Sequence, residues 1–335
     1  MARRHFRAAP LALAVIVAAA LLPAVRPAYA TSATACDRAC LTSTVDRYVD
    51  ALTNRDASRL LVAKDIKFTE NLVPLKFGHE GLWTTANGRR DFNIYAADPV
   101  RGDVTWIGIL KENDKPVMTA IRLKVDKGRI TEAETLVGRV GLGNPDTVAG
   151  PRPEFAQVVP PARRSSREQL IAIGSSNWDA MEQGNGDLAP YAADCERYDN
   201  GRKTTESPSP GRGNVNSNAA QEDIGGLSCF GQMNSGRFNN GNKVYPRRPW
   251  TVDVEHGIVV GLYTPNVPGT ARVLTLRGGK KLTVGPDELI PFTIEQVEMF
   301  KVVDGQITRV EVVLGPRVPY GTRSPFDMKS LWEPR

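Results

Sequence analysis

The sequence predicts an α+β chain built from two tandem copies of one unit, each with helices packed on an antiparallel sheet. Three observations predict it. Sliding the chain against itself by 129 positions aligns Asp50-Ala51 with Asp179-Ala180, Ala63 with Ala192, Asp65 with Asp194, Glu70 with Asp199 and Asn71 with Asn200, without a gap. A second match, at a shift of 177, sets Lys124, Val125, Gly128, Ile130, Thr131 and Glu134 against Lys301, Val302, Gly305, Ile307, Thr308 and Glu311. In both copies apolar residues recur first at helical spacing and later with the composition of strands, an order that gives helices first and an antiparallel sheet after. A repeat this long marks duplicated domains, since solenoid periods run about 20 to 50 residues.

The first segment reads as a leader. Arg3, Arg4 and Arg7 open it, Leu11 to Leu22 is apolar, and Ala28-Tyr29-Ala30 is a small-residue cleavage site, so residues 1–30 are expected to be a signal peptide removed after Ala30. An uncleaved N-terminal anchor is the alternative. The apolar run is shorter than the roughly twenty residues a membrane helix needs, so the mature protein is expected to be soluble, free of the membrane, and secreted or periplasmic. The leader holds four arginines and no acids, so the formal charge of +6 becomes +6 − 4 = +2 without it. Such a balance, with no basic run beyond Arg163-Arg164 and Arg247-Arg248, argues against nucleic acid as a partner.

The first unit is assigned to residues 31–140. Leu41, Val45, Tyr48, Val49 and Leu52 form the apolar stripe of a helix. Val104–Leu110, Val117–Val125 and Ile130–Val137, separated by Asn113-Asp114 and Asp126-Lys127-Gly128, read as strands in hairpins. Residues 141–165 hold Pro145, Pro151, Pro153, Pro160 and Pro161 and read as a linker. The second unit spans 166–320. Its helix carries Leu170, Ile173, Trp178 and Met181 and stops at Gly184-Asn185-Gly186; its strands are Gly257–Tyr263, Ala271–Leu276, Ile294–Val303 and Gln306–Leu314, the last two turning over Asp304-Gly305. The second unit is longer by 177 − 129 = 48 residues, most of which are expected in an insertion over 201–248. Residues 321–335 form a tail.

Four cysteines follow the leader, and export would place them where disulfides persist. Cys36 and Cys40 are close enough to pair at a helix entry; Cys195 with Cys229 would then tether the insertion to a strand. Two other connectivities remain open. No metal site is expected, because His79 and His256 stand apart from any cysteine pair of finger-like spacing. No G-x-G-x-x-G, P-loop or G-x-S-x-G context occurs, and no cofactor is expected.

The helix motif Val45-x-x-Tyr48-x-x-Ala51-Leu52, Asp56-x-x-x-Leu60 with Ala63-x-Asp65, the segment Phe68-Thr69-Glu70-Asn71 and the hairpin Leu123-x-Val125-x-x-Gly128-x-Ile130 resemble the SnoaL-like, or nuclear transport factor 2-like, superfamily. The resemblance covers most of Cys36–Val140 and Ser166–Tyr320. It implies two cone-shaped units, each with a curved sheet wrapped around a helix and a pocket for a small hydrophobic molecule. It also implies that the open faces of the sheets pack together, making the chain a monomer with an internal pseudo-dimer. No single catalytic set runs through the superfamily.

Candidate chemistry is therefore read from the residues. Glu70 beside aromatic rings, with His79, makes a possible acid–base pair, and Asp199 stands at the equivalent position in the second unit. The plainer reading ends a strand at Glu70-Asn71 and puts His79 on a surface loop. Tyr48, Asn71, Trp83, Trp106, Trp178 and Asn200 are the candidate pocket residues, against the alternative that the aromatic rings are core. Glu255-His256 reads as an exposed hairpin tip. Glu134, Glu311, Arg122 and Glu298 lie in the sheets, with their facing undecided. Two functions follow: a cofactor-independent lyase, isomerase or cyclase using general acid–base catalysis, or a non-catalytic module binding a ligand or a protein.

Overall fold

The computed structural model describes residues 36–139, 145–148, 150, 152–206 and 224–327. The expected signal peptide, parts of the linker and insertion, and residues 328–335 lie outside them. The chain forms two tandem cone-shaped α+β units, each with one main helix on a six-stranded sheet.

In the first unit α1 (Arg38–Thr53) begins where the Asp37 carboxylate accepts from the Cys40 amide, beside a Cys36–Cys40 disulfide, and buries Leu41, Val45, Tyr48, Val49 and Leu52 against the sheet. β1 (Val62–Glu70), β2 (Val73–Pro74), α2 (Leu82–Thr85), β3 (Ala86–Asp98), β4 (Asp103–Glu112), β5 (Lys115–Asp126) and β6 (Arg129–Gly138) follow. The sheet order is β2-β1-β6-β5-β4-β3. β3 to β6 are a hairpin meander that returns to the start of the unit, so β6 arrives parallel to β1 and makes the otherwise antiparallel sheet mixed.

Short α3 (Pro153–Ala156) in the linker leads to α4 (Arg167–Gln183), which has a Ser166–Gln169 capping box and a left-handed Gly184 stop. Then come β7 (Tyr191–Asp199), β8 (Arg202–Lys203), α5 (Cys229–Met233), β9 (Lys243–Asp253), β10 (Ile258–Val267), β11 (Val273–Thr275), β12 (Lys281–Thr283), β13 (Phe292–Val303) and β14 (Gln306–Pro319). The main sheet, β8-β7-β14-β13-β10-β9, repeats the first, with β14 parallel to β7.

The extra length is divided. The shift between the units is 129 up to β2 and β8, 155 from Asp98 and Asp253 through β4 and β10, and 177 at β5 and β13. About half of it therefore lies between β8 and β9. The rest builds the β11–β12 hairpin over its own cluster of Leu274, Leu276, Leu282 and Val284, so Ala271–Leu276 is no strand of the main sheet. β3 and β9 escape the sequence reading. The first half of β3 is polar and partly exposed, and β9 carries Pro246 and Pro249, which a sheet accepts here because β9 is an edge strand.

The sheet faces turned away from the helices pack on each other, with Ile94, Ile107, Ile109 and Ala120 of one unit meeting Trp250, Val260, Leu262 and Met299 of the other. Phe155 of α3 fills the same core. Two ion pairs cross between the units reciprocally. Arg38 at the start of α1 holds Asp253 at the end of β9, and Arg167 at the start of α4 holds Asp98 at the end of β3, with Nη1 3.0 Å from Oδ1. Arg38 is equivalent to Arg167 and Asp98 to Asp253, the self-complementary pattern of a two-fold interface. No helix among the described residues is long and apolar enough to cross a membrane.

Arg167→Ala is expected to lower unfolding stability by about 1–3 kcal/mol, because it strips the buried Asp98 of its guanidinium. Arg163→Ala, which removes only the exposed Arg163–Asp304 pair, is expected to leave the urea midpoint in place. Equal effects of the two substitutions would contradict a structural role for the reciprocal pairs.

Candidate functional site

The strand period places Cys195, Arg197 and Asp199 of β7 on the face turned toward α4. On β13 the same period puts Glu298, Phe300 and Val302 inside and Val297 and Met299 in the seam between the sheets. One turn of α4 brings Asn177 and Trp178 onto this interior.

These side chains form a connected polar line. Arg197 Nε donates to Asp199 Oδ1 at 2.9 Å and Nη2 to Glu298 Oε1 at 2.7 Å. Asn177 Nδ2 donates to the other Glu298 oxygen at 3.2 Å, and Tyr191 Oη donates to Asn177 Oδ1 at 2.8 Å. Asn177, Arg197, Asp199 and Glu298 are buried, while Tyr191 is half-buried and links the line to the surface. Burial pushes Glu298 up to about 7 against the pull of Arg197, and it raises the Tyr191 phenol as well. The guanidinium is left with one buried nitrogen, Nη1, that has no hydrogen-bond partner among the described residues. Trp178 and Tyr263, with ring centroids 4.9 Å apart, stand in the same core.

The insertion is fastened to this strand. Cys195 and Cys229 form a disulfide joining β7 to α5, Thr205 Oγ1 accepts from the Arg197 amide at 3.0 Å, and Gln232 Nε2 donates to the carbonyls of Thr204 and Ile224.

In the first unit the positions of Asn177, Arg197 and Glu298 are occupied by Tyr48, Phe68 and Ile121, and that of Tyr191 by Val62. The interior is a ring cluster, with Tyr48–Trp83 at 5.4 Å and Phe77–Trp83 at 4.9 Å. Tyr48, Trp83 and Trp106 are core residues there. Trp106 donates to Asn93 and lies over Gly108, where a Cβ would come within 1.9 Å of the ring.

Several sequence expectations change as a result. Glu70 is buried, but it accepts from the Leu82 amide at 2.7 Å and pairs with Arg139, fixing the start of α2. His79 is exposed on the preceding loop, so the two do not form an acid–base pair. Asn71 and Asn200 are left-handed turn residues whose side chains bond the backbone of Val137 and Leu314. Asp199 joins the polar line through Arg197, and Trp178 lies in the apolar core beside it. His256 is buried, not at an exposed tip, with Nδ1 3.1 Å from Asp253 Oδ1. Glu134 and Glu311 face the seam between the sheets, where Arg248 and Arg152 meet them. Arg197, Asn177 and Tyr191 went unnoticed in the sequence. Their signal was the change of residue at each repeat position, from Phe68, Tyr48 and Val62 in the first unit.

Residues 163–314 match the family described as "Domain of unknown function (DUF8021)", a stretch confined to the second unit and the end of the linker. No curated protein matches the chain. Among solved structures, a candidate polyketide cyclase from Xanthomonas campestris is 18% identical, with 44% of this chain and 92% of that one covered and a TM-score of 0.27. A candidate ketosteroid isomerase from Kribbella flavida is 14% identical, covering 48% and 88%, TM-score 0.26. An NTF2-like protein of unknown function from Cytophaga hutchinsonii is 12% identical, covering 29% and 88%, TM-score 0.24. At these scores the likenesses say nothing of what this chain binds.

Stability should carry the imprint of the buried acids. Glu298, at about 7, and Glu295, pushed by burial up to about 8 with neither oxygen hydrogen-bonded among the described residues, hold protons more tightly folded than at their ordinary 4.5. The folded state therefore binds more protons than the unfolded one between about pH 4.5 and 8, and stability falls as pH rises through that window. In urea titrations at pH 5, 6.5 and 8, Glu298→Gln and Glu295→Gln are each expected to flatten the decline, by about 1.4 kcal/mol per pH unit while the acid they replace would be protonated only in the folded chain. Curves parallel to the wild type would mean that neither acid is perturbed.

Proposed function

We propose that the second unit is the working one, and that it holds a small, largely hydrophobic molecule near Trp178 and Tyr263 and moves a proton with Glu298, as a cofactor-independent isomerase or lyase. The observation carrying this reading is the replacement of Tyr48, Phe68 and Ile121 by Asn177, Arg197 and Glu298 at equivalent interior positions of one duplicated fold. A core gains nothing in stability from that exchange, since a buried ion pair commonly does no better than apolar residues of similar volume.

Ionised Glu298 takes a proton from a carbon of the substrate, and the electron pair stays on the substrate. Returning that proton to a second carbon isomerises the molecule; departure of a leaving group with the electron pair makes the reaction a lyase. A carboxyl near neutrality suits both proton removal and return. Arg197 stabilises the carboxylate, Asp199 orients Arg197 through Nε, and Asn177 with Tyr191 holds the second Glu298 oxygen. The disulfide-fastened insertion keeps β7, and with it Arg197, in place. Exported and oxidising surroundings fit the two disulfides.

Native mass spectrometry of the protein, followed by denaturation, would identify a retained molecule and so a substrate series. Glu298→Gln is expected to lower kcat/KM by roughly 10²–10⁴, and wild-type activity should rise with pH through about 7 as the base ionises. His79→Ala should leave activity unchanged. Full turnover by Glu298→Gln would reduce the second unit to a binding module.

A further inference from the structure

Not one of the chain's 37 acids falls within residues 224–252, 256–286 or 312–326, yet these three stretches hold ten lysines and arginines. The fold joins them at one end of the second unit. The Arg277 amide donates to the Ser235 carbonyl at 2.9 Å, which seats the β11–β12 hairpin on the insertion, and Arg317 Nη1 donates to the Asp287 carbonyl at 3.3 Å in the turn after the hairpin. The Gly321 amide donates to Asn266 Oδ1, and Asn266 Nδ2 donates to the Tyr245 carbonyl at 3.0 Å, which ties the end of β14 to the start of β9.

Part of this charge is balanced by acids from other segments. Arg237 meets Glu288, Lys243 and Arg247 meet Glu182, and Arg248 meets Glu134 and Asp327. Arg272, Arg277, Arg317 and Arg323 are exposed and form no ion pair among the described residues, and Lys281 donates to the Thr275 hydroxyl at 2.7 Å. Asp287, exposed in the turn, is the acid beside them that holds no cation. Such an excess of one sign gathers anions. The hairpin that carries Arg272 and Arg277 has no counterpart in the first unit, where β4 passes to β5 over Asn113-Asp114.

Two tyrosine rings stand exposed among these arginines. Tyr245 is 60% and Tyr320 52% exposed, and the Arg323 guanidinium lies over the Tyr245 ring at 4.9 Å. Guanidinium forks match carboxylates, and an open ring offers an apolar face to the C–H side of a sugar. A bilayer is the poorer fit. The hairpin tip, Arg277-Gly278-Gly279-Lys280, has no apolar side chain to enter lipid, and Leu274, Leu276, Leu282 and Val284 are turned into the hairpin's own core, leaving Val273 and Ile290 singly exposed. We infer that this end of the second unit docks on an acidic polysaccharide, a polymer of uronate sugars, through Arg272, Arg277, Arg317 and Arg323 with Tyr245 and Tyr320. The surface is separate from the interior line of Arg197 and Glu298, so this inference does not depend on the proposed reaction.

The test measures binding of the full chain to four probes: polygalacturonate, dextran, duplex DNA and phosphatidylglycerol vesicles. At about 50 mM salt, polygalacturonate is expected to bind about tenfold or more tighter than the other three, and to weaken steeply toward about 200 mM. Arg272→Gln with Arg277→Gln should weaken it about fivefold or more and flatten its salt dependence. Tyr245→Ala with Tyr320→Ala should weaken it while leaving the salt slope in place, an effect that bare charge attraction would not give. Arg47→Gln with Arg59→Gln removes the same charge from exposed positions of the first unit and should change nothing. Folding of each variant is checked by circular dichroism; should the hairpin pair not fold, Arg317→Gln with Arg323→Gln replaces it. Absence of polygalacturonate binding, equal binding of dextran, DNA or vesicles, a hairpin variant no weaker than the first-unit variant, or tyrosine substitutions without effect would each overturn the inference.

Discussion

Each unit has one main helix for a six-stranded sheet, so one sheet face is covered and the other is not. The structure depends on how that second face is buried. The two units cover each other, through Ile94, Ile107 and Ile109 on one side and Trp250, Val260 and Leu262 on the other, and the reciprocal Arg38–Asp253 and Arg167–Asp98 pairs fix the docking at both ends. A lone unit would expose an apolar sheet face, a surface that drives association. The duplication therefore supplies in one chain what a single unit would need from a second copy.

That division leaves the two inner faces free to differ. The first is filled by rings, Tyr48, Phe68, Phe77 and Trp83, and behaves as an ordinary core. The second carries Asn177, Arg197, Asp199 and Glu298. The second interior buries a guanidinium and a carboxyl where the first has Phe68 and Ile121, and departures from ordinary core packing concentrate at functional sites. The exchange of aromatic partners shows how closely the frames correspond. Trp106 lies over Gly108 in β4, and Tyr263 lies over Gly261 in β10, so ring and glycine trade places on the same face of the equivalent strand.

Much of the fold was legible because its elements obey simple periods. The stripes of α1 and α4 and the closing hairpins Lys115–Gly138 and Phe292–Pro319 stand out in the sequence. β3 was hidden because its first half meets solvent, and β9 because its prolines suggest a loop, whereas an edge strand tolerates them. Glu70 and His79 drew attention by proximity in sequence, yet a glutamate that ends a strand and receives a helix amide needs no histidine. Glu298 was noticed but could not be given a face, because β13 is buried on both sides and apolar residues flank it on each, Val297 and Met299 in the seam and Phe300 and Val302 inside. Comparing the units position by position, at shifts of 129 and 177, would have put Arg197 against Phe68 and Glu298 against Ile121. The repeat that revealed the architecture also held the signal of the site.

Both additions to the second unit fall on the copy with the polar interior, and the first is covalently fastened beside Arg197. Cys195 takes the place of Ile66 on the inner face of the strand, two residues from Arg197, and its bond to Cys229 closes a segment with a sequence separation of 34. Closing a loop of that size removes enough freedom from the unfolded chain to stabilise the fold by roughly 3–4 kcal/mol. Holding Glu298 ionised in the interior costs about 3 kcal/mol, taken from a carboxyl moved from 4.5 to about 7. The two magnitudes are alike. The long-range disulfide lies on the strand that carries Arg197, while the first unit, with its ring-filled interior, has the short Cys36–Cys40 link at its helix entry.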